Sequence, residues 1–350
     1  MKTNLFSELG VHCLVDGQFG STGKGALAAW LAEQASTLEF RGAIYSGGPN
    51  SGHTFYHDGE KHVLKQLPSF AVKTHLMGGE CAAYLSAGAV IDLDILTDEA
   101  TRYPDVKIYV HPNAAIVNEI ARSIEAGSGA PKIASTMSGT GGALMRKIAR
   151  HPDAIWGERT IGIPNVTTMH HNIKPFEHRY FMEVAQGFSL GINSEFYPNV
   201  TSRECTVMQG LADARIPARA LARTYMAIRT YPIRVGNTTE GYSGDWYSDQ
   251  EEITWEDLDV FPELTTVTKR IRRIATFSPY QFVDALRAND PDFVFVNFLN
   301  YLQDKSAQRD FLQDIKDIRE DNERWFDIIE GHGPESSDIR IIGESIPLQA

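Results

Sequence analysis

Short apolar runs of strand length alternate along this chain with stretches of helix-forming residues. Val11–Val15 reads as a buried strand that ends in the glycine-rich run DGQFGSTGKG. The segment ALAAWLAEQA behind it holds strong helix formers and no breaker, so the order is strand, loop, helix. Gly42–Tyr45 is a second apolar piece and leads into another glycine-rich loop, SGGPNSGHT. Further strand-like runs fall at Lys107–Val110, Arg179–Glu183 and Asp292–Asn297, with helical stretches such as Ala115–Glu125 and Pro279–Ala288 between them. Strands alternating with helices predict an α/β fold: a mainly parallel central sheet, helices on both faces, and ligand loops at the carboxyl ends of the strands. No repeat interrupts the pattern, and no Pro-, Gly- or Ser-rich linker is long enough to separate units, so a single domain over residues 1–350 is expected. The acidic segment Asp245–Asp259 reads as a solvated surface excursion and the tail SIPLQA as a loose end.

Composition narrows the class. With 42% hydrophobic and 22% charged residues in 350, the chain has the make-up of an ordinary soluble protein that needs no disulfide or metal to hold its core. The net charge of -12 is spread along the chain, which argues against a duplex DNA-binding protein. It does not argue against nucleotides, because a few placed Lys and Arg residues set local potential whatever the total. Cys13, Cys81 and Cys205 lie far apart with no metal-type spacing, as expected of buried thiols in a reducing compartment. No stretch approaches the roughly 18 apolar residues of a membrane span, and the start MKTNLFSELG lacks a signal-peptide core. Neither a membrane nor a nucleic acid partner is expected, and the expected location is the cytoplasm.

The chemistry sits in the two glycine-rich loops. In DGQFGSTGKG, Gly17, Gly20, Gly23 and Gly25 let the backbone approach an anion and adopt positive φ. Backbone N–H groups and the following helix N-terminus favour phosphate, and Lys24 adds a full charge. The run is not a Walker A loop, because only Ser21 and Thr22 separate Gly20 from Gly23 and Gly25 replaces the Ser/Thr. The second loop, GGPNSGHT, sets Asn50 and His53 in a glycine frame. A histidine placed there, beside a phosphate loop, suits a general acid or a phosphate ligand. Farther on, TTVTKRIRR gathers Lys269, Arg270, Arg272 and Arg273. That cluster reads either as a solvated basic face or, with the Thr268 hydroxyl, as an arginine fork for a dicarboxylate.

The pair GQFGSTGKG and GGPNSGHT resembles the GDEGKG and GHNAGHT loops of the adenylosuccinate synthetase family, and the likeness continues in order along most of the chain. STMSGTGG is similar to the family's loop for the nucleotide 5′-phosphate and points to Ser135 and Thr136. MRKIAR ends in Arg150, in the place of an arginine that reaches the neighbouring subunit's site, which implies a homodimer. Gln186 in VAQGFSL and Thr201 in FYPNVTS fall at further substrate positions, and the RVG segment carries Arg234 before Gly236. TTVTKRIRR brings Val267, Thr268, Arg270 and Arg272 to the aspartate-binding loop. The resemblance implies a P-loop-related fold and a ligase that forms a C–N bond by joining aspartate to C6 of a 6-oxopurine nucleotide. It places the donor phosphates on Gly20, Thr22, Gly23, Lys24, Gly25, His53 and Thr54, and Mg²⁺ at Ser21 and Gly52. The same likeness sets the donor base beside Phe298, Asn300 and Gly333.

The chain departs from the family in two places. Ser21 stands where the family has the catalytic Asp that takes the purine N1 proton and helps hold magnesium. A Ser hydroxyl has no useful basicity near neutrality and is a poorer ligand for Mg²⁺ than a carboxylate. The loss implies either a silent nucleotide-binding or regulatory homologue, or a changed substrate, since the smaller Ser leaves room for, and an oxygen beside, a purine 2-amino group. Phage members of the family that share the short chain and the lost Asp act on dGMP and make the precursor of diaminopurine deoxynucleotide. The resemblance therefore implies dGMP, with IMP as the alternative, and the bacterial host's cytoplasm if the chain is phage-encoded. In the second departure, VNFLNYL puts Phe298 and Asn300 where GTP-using members carry a Lys-x-Asp reader of guanine. Without that carboxylate the expected donor is ATP or dATP. Phe298 reads either as a stacking surface for the base or as core.

Overall fold

The computed structural model describes residues 5, 6, 8–159, 161–265 and 269–342. Its frame is a ten-stranded sheet. The strands in chain order are β1 (Gly10–Asp16), β2 (Phe40–Tyr45), β3 (Ala82–Leu85), β4 (Ile108–Val110) and β5 (Val166–Thr168). They continue as β6 (Arg179–Glu183), β7 (Leu221–Arg229), β8 (Phe293–Asn297), β9 (Asp327–Gly331) and β10 (Ile339–Ile341). Across the sheet they run β10-β9-β8-β7-β1-β6-β2-β3-β4-β5. Every pairing is parallel except β9 with β10, which is antiparallel.

The alternation of β1 explains why this sheet must be covered on both faces. Val11, Cys13 and Val15 belong to one apolar core with Val207, Leu211, Phe282 and Leu286 from the helices Val207–Asp213 and Pro279–Asn289. Leu14, one residue out of phase, belongs to the other core, with Leu27, Leu31 and Phe70 from the helices Lys24–Gln34 and Ser69–Leu76. A parallel strand apolar on both sides is what helices on both faces require. The expected fold class is the observed one. No helix among the described residues is long and apolar enough to cross a membrane.

The expected strands at the start of the chain and at Arg179–Glu183 form as read, and the helices after the first loop and from Pro279 follow. Two local expectations are corrected. The helix expected from Ala115 begins at Glu119: Ala115–Ile116 instead pair in parallel with Val90–Ile91, and the Asn118 side chain caps the helix by accepting from the Ala121 N–H at 2.9 Å. The acidic segment Asp245–Asp259 keeps most of its carboxylates in solvent, but it is not a free excursion. Glu252–Ile253 pairs with Arg273–Ala275 in a small antiparallel sheet, and Trp255 is buried against Ile233 and Ile274. The tail SIPLQA lies outside the described residues.

Candidate active site

β1, β2, β6, β7, β8 and β9 all end on the same edge of the sheet, and the loops leaving those ends surround one cleft of about 1340 Å³. The topology explains the location, because the chain passes from β1 over β6 to β2 on one side and adds β7 on the other. A crevice opens at the carboxyl ends where strand order diverges in this way.

Asp16, the last residue of β1, organises the first loop. Its Oδ1 accepts the N–H groups of Gln18 at 2.9 Å and Gly20 at 3.1 Å. Its Oδ2 accepts from the Thr22 hydroxyl at 2.5 Å and from Lys24 Nζ at 3.1 Å. Lys24 Nζ also donates to the Gln186 carbonyl at 2.8 Å. Lys24 is the first residue of the helix Lys24–Gln34, so an ammonium and a helix N-terminus share one place in the cleft. Ser21, with φ 57, is the exposed tip of this loop. Gly25 has a packing reason for lacking a side chain: a Cβ there would come within 2.6 Å of the Thr54 carbonyl oxygen. The two glycine-rich loops therefore touch backbone to backbone, which a Ser or Thr at position 25 would prevent.

The second loop ends at His53, the first residue of a hairpin strand (His53–His57, paired with Glu60–Leu64). The ring is 4% exposed and packs edge-on against Tyr45 at 5.6 Å between centroids. Its Nδ1 lies 3.7 Å from Oε2 of Glu183, the fully buried last residue of β6. Burial, aided by the Lys24 charge, lowers the imidazole pKa to about 3. Burial also raises Glu183 to about 7, against the pull of the Phe70 and Ser69 N–H groups. Both groups are thus driven toward their neutral forms, and the protein alone does not hold a standing ion pair here. An arriving phosphate would change that balance in favour of an imidazolium.

Three polar groups face the cleft unsatisfied. Gln186, at φ 69, has a buried Nε2 with no hydrogen-bond partner among the described residues. Arg234 donates from Nε and Nη2 to the Ser243 carbonyl and stacks its guanidinium 4.3 Å from the Phe19 ring centre, leaving Nη1 unpaired. Arg272 has an unpaired Nε, and burial holds its pKa down to about 10 although Glu263 opposes the shift. Buried donors without acceptors cost free energy unless a ligand supplies the acceptor. A carbonyl oxygen, a phosphate and a carboxylate would serve.

At the β8 end, Phe298 (φ 60) lies under the guanidinium of the buried Arg229, 3.9 Å from ring centre. Arg229 is fixed in turn by Glu263, at 2.6 Å, and Glu263 accepts from the Tyr301 hydroxyl at 2.9 Å. Phe298 also lines the cleft, together with Asn300, Gly333 and Pro334. It is therefore both packed and presented, and the two readings of this residue are not exclusive.

The cleft brings together most residues expected from the sequence. Gly20, Ser21, Thr22, Gly23, Lys24 and Gly25 of the first loop line it, as do Asn50, Gly52, His53 and Thr54 of the second. Thr136, Gln186, Arg272, Phe298, Asn300 and Gly333 join them. Ser135, Thr201, Arg150 and Arg270 do not line it. The Arg270 guanidinium donates to the carbonyls of Gly236 and Ala134, each at 3.0 Å, so it ties the loop around Thr136 to the arginine segment instead of standing open to a dicarboxylate. Arg150, at φ 62 just beyond the helix Thr140–Ile148, is exposed. Val267 and Thr268 lie outside the described residues.

Sequence reading missed Asp16 as an anchor, Glu183 as the neighbour of His53, and Arg229 with Glu263 as the support of Phe298. The only available signal was positional: each charged residue but Glu263 ends an apolar strand run, where a charge has no core role.

The sequence profile of adenylosuccinate synthetase matches residues 13–156 and 159–307. The N6-succino-2-amino-2'-deoxyadenylate synthase of Vibrio phage phiVC8 is 38% identical over 311 residues, covering 83% of this chain and 86% of the relative. An adenylosuccinate synthetase of Pyrococcus sp. (strain ST700) is 26% identical over 300 residues, covering 82% of this chain and 83% of its own length. Among solved structures, the succinoaminodeoxyadenylate synthetase of cyanophage S-2L, bound to dGMP and to dATP as an energy donor, superposes with a TM-score of 0.83. It is 34% identical, with 95% of each chain covered.

Proposed function

The chain belongs to the adenylosuccinate synthetase family, and from that premise we propose that it condenses L-aspartate with dGMP, driven by ATP or dATP. The products are 2-amino-2'-deoxy-N6-succinyl-AMP, the nucleoside diphosphate and phosphate. The observation that carries the proposal is the convergence of Lys24, His53 and the unpaired Gln186 amide in one cleft whose tip residue is Ser21, not a carboxylate. Sequence identity is higher to the phage synthase than to the Pyrococcus synthetase, 38% against 26%, which supports the dGMP branch.

In the first step the purine O6 attacks the γ-phosphorus, the bond from that phosphorus to the bridging oxygen breaks so that the diphosphate leaves with that oxygen, and the purine N1 proton passes to water. Lys24 offsets the charge that gathers on the leaving diphosphate, and His53 stabilises or protonates the departing oxygen. The Gln186 amide is the donor placed for the purine oxygen. In the second step the aspartate amine attacks C6, the C6–O6 bond breaks, and phosphate leaves with that oxygen while the amine nitrogen gives its protons to the departing phosphate and to water. Arg272, whose Nε is unpaired among the described residues of the cleft, is suited to an aspartate carboxylate and so lowers the entropic barrier of this step. Arg270 acts one layer out, holding the segment around Thr136 in place.

The donor set in the cleft fits magnesium better than a softer metal. Ser21 and the main chain at Gly52 offer oxygen, and no cluster of three or more His, Cys, Asp or Glu residues is arranged for a metal among the described residues. A cation held by one or two protein oxygens and completed by substrate phosphates is the usual magnesium arrangement. When bound it would neutralise phosphate charge. The donor base lies against Phe298, and Asn300 lacks the carboxylate that would accept the N1–H and 2-amino hydrogens of guanine, which favours adenine donors.

Purified protein given ATP, Mg²⁺ and aspartate is expected to turn over dGMP with a kcat/KM at least about 10-fold above that for IMP, a difference within reach of one polar contact at the base edge. Turnover of IMP without dGMP would refute the substrate, and phosphate release independent of aspartate would refute the ligase. In the same assay Ser21→Asp is expected to depress dGMP use more than IMP use. Equal effects would show that residue 21 does not face the C2 edge.

We also infer a homodimer in which Arg150 serves the cleft of a second copy. Arg150 is exposed and does not line its own cleft, and it follows Ile148 and Met145, which are 74% and 43% exposed. Sedimentation as a monomer at assay concentration would remove that inference.

A further inference from the structure

Glu183 is not among the residues that the loops single out, yet its surroundings are built around it. It ends β6 at 0% exposure, between β1 and β2. Its Oε1 accepts the Phe70 N–H at 2.9 Å at the start of the helix Ser69–Leu76, which fixes the carboxyl plane. Its Oε2 is buried and has no hydrogen-bond partner among the described residues. Ser69 at the start of the same helix also lies against the carboxyl group, and His53 Nδ1 lies 3.7 Å from Oε2. This separation is longer than a hydrogen bond, and contacts of this kind commonly tighten when substrate arrives. A buried carboxylate oxygen held on one side and unpaired on the other calls for a donor; of the two groups beside it, the Ser69 hydroxyl and the His53 imidazole, the imidazole is the one that lines the cleft.

We propose that Glu183 is the positioning residue of His53: it fixes Nδ1–H toward the carboxylate, dedicates Nε2 to the transferring phosphoryl group, and supplies the negative charge that a phosphate-bound imidazolium needs. The proposal rests on the phosphoryl-transfer reading of His53 given above and adds what sets the orientation and proton position of that ring. A carboxylate behind a histidine performs this service in other sites, where the second ring nitrogen acts on the substrate. Lys24 cannot substitute, because it is a cation and is held by Asp16 and the Gln186 carbonyl.

The test is the tautomer of His53, read by ¹⁵N NMR of histidine-labelled protein at pH 9, with the His53→Ala spectrum identifying its signals. The wild type is expected to carry the proton on Nδ1, and a neutral ring protonated on Nε2 would overturn the proposal. In Glu183→Gln the amide oxygen replaces Oε1 on the Phe70 N–H and the NH₂ faces Nδ1, so the proton is expected to move to Nε2. The same variant should lose about a hundredfold or more in kcat, with KM for dGMP, aspartate and ATP changed less than threefold, as amide-for-carboxylate changes behind a histidine do. An unchanged tautomer with kcat within threefold would also overturn it. If Glu183→Gln does not fold, the wild-type spectrum alone still decides. Because that spectrum requires no turnover, full activity of His53→Ala would refute the phosphoryl-transfer role and leave the pairing standing or falling on its own result.

Discussion

Lys24→Met is expected to lower kcat by about a thousandfold, the scale seen when a donor aimed at developing charge is removed from a water-poor site. The ammonium lies at the one place where the first loop, the N-terminus of the helix Lys24–Gln34 and the Gln186 carbonyl meet, and it is the charge of that loop. The substitution should also weaken the fold. Lys24 pairs with Asp16, whose side chain is completely buried, and removing the cation leaves a carboxylate with only the Thr22 hydroxyl and two N–H groups. Removing one partner of a buried ion pair typically costs about 3–5 kcal/mol; the remaining donors put this case near the lower end. The two effects separate in the double variant Asp16→Asn, Lys24→Met. Stability measured by urea unfolding should largely return, because no uncompensated charge remains, while turnover should stay low. If Lys24→Met retained more than a tenth of wild-type kcat, Lys24 would be a structural cation and not the group that faces the phosphates.

Chemistry that is local in the chain made part of this site legible from the residues alone. The first loop and its helix are contiguous, so glycine spacing, Lys24 and the helix start all fall within one short window. Asn50 and His53 follow the second strand in the same way. Pairings between distant segments left no such mark. Glu183 meets His53 only because β6 is inserted between β1 and β2. Arg229 and Glu263 meet beneath Phe298 through the end of β7 and a segment 34 residues later. Arg270 shows the converse case: its residue type suits a dicarboxylate, and the chain also folds its guanidinium onto the carbonyls of Gly236 and Ala134. An arginine fork satisfies backbone carbonyls as well as carboxylates, and sequence does not say which acceptors will be near. The helix start displaced from Ala115 to Glu119 has the same origin. Ala115 and Ile116 are helix-compatible residues drawn into a strand pair by a partner at Val90–Ile91, and the Asn118 cap marks the true boundary.

His53→Ala is expected to reduce kcat by two to three orders of magnitude, within the roughly hundred- to ten-thousandfold range of a positioned acid–base group. The loss should fall on one step. With O6 attack preceding aspartate attack, rapid-quench mixing of enzyme with ATP and dGMP should show slower formation of the 6-phosphoryl intermediate and of ADP. Affinity for dGMP should hold within a fewfold, because the proposed role sets His53 against the transferring group and not the sugar or the 5′-phosphate. Arg272→Leu should behave in the opposite manner, raising the KM for aspartate while leaving that first step close to normal, so the two variants locate the two halves of the cleft. The buried ring packs edge-on against Tyr45 of the apolar core, so truncation also lowers stability through lost packing, a loss that urea unfolding separates from the effect on the chemical step. A His53→Ala enzyme that forms the intermediate at the wild-type rate and fails only when aspartate is added would transfer the histidine from phosphoryl transfer to the attack at C6, and the assignment of the two glycine-rich loops to one phosphate site would have to be withdrawn.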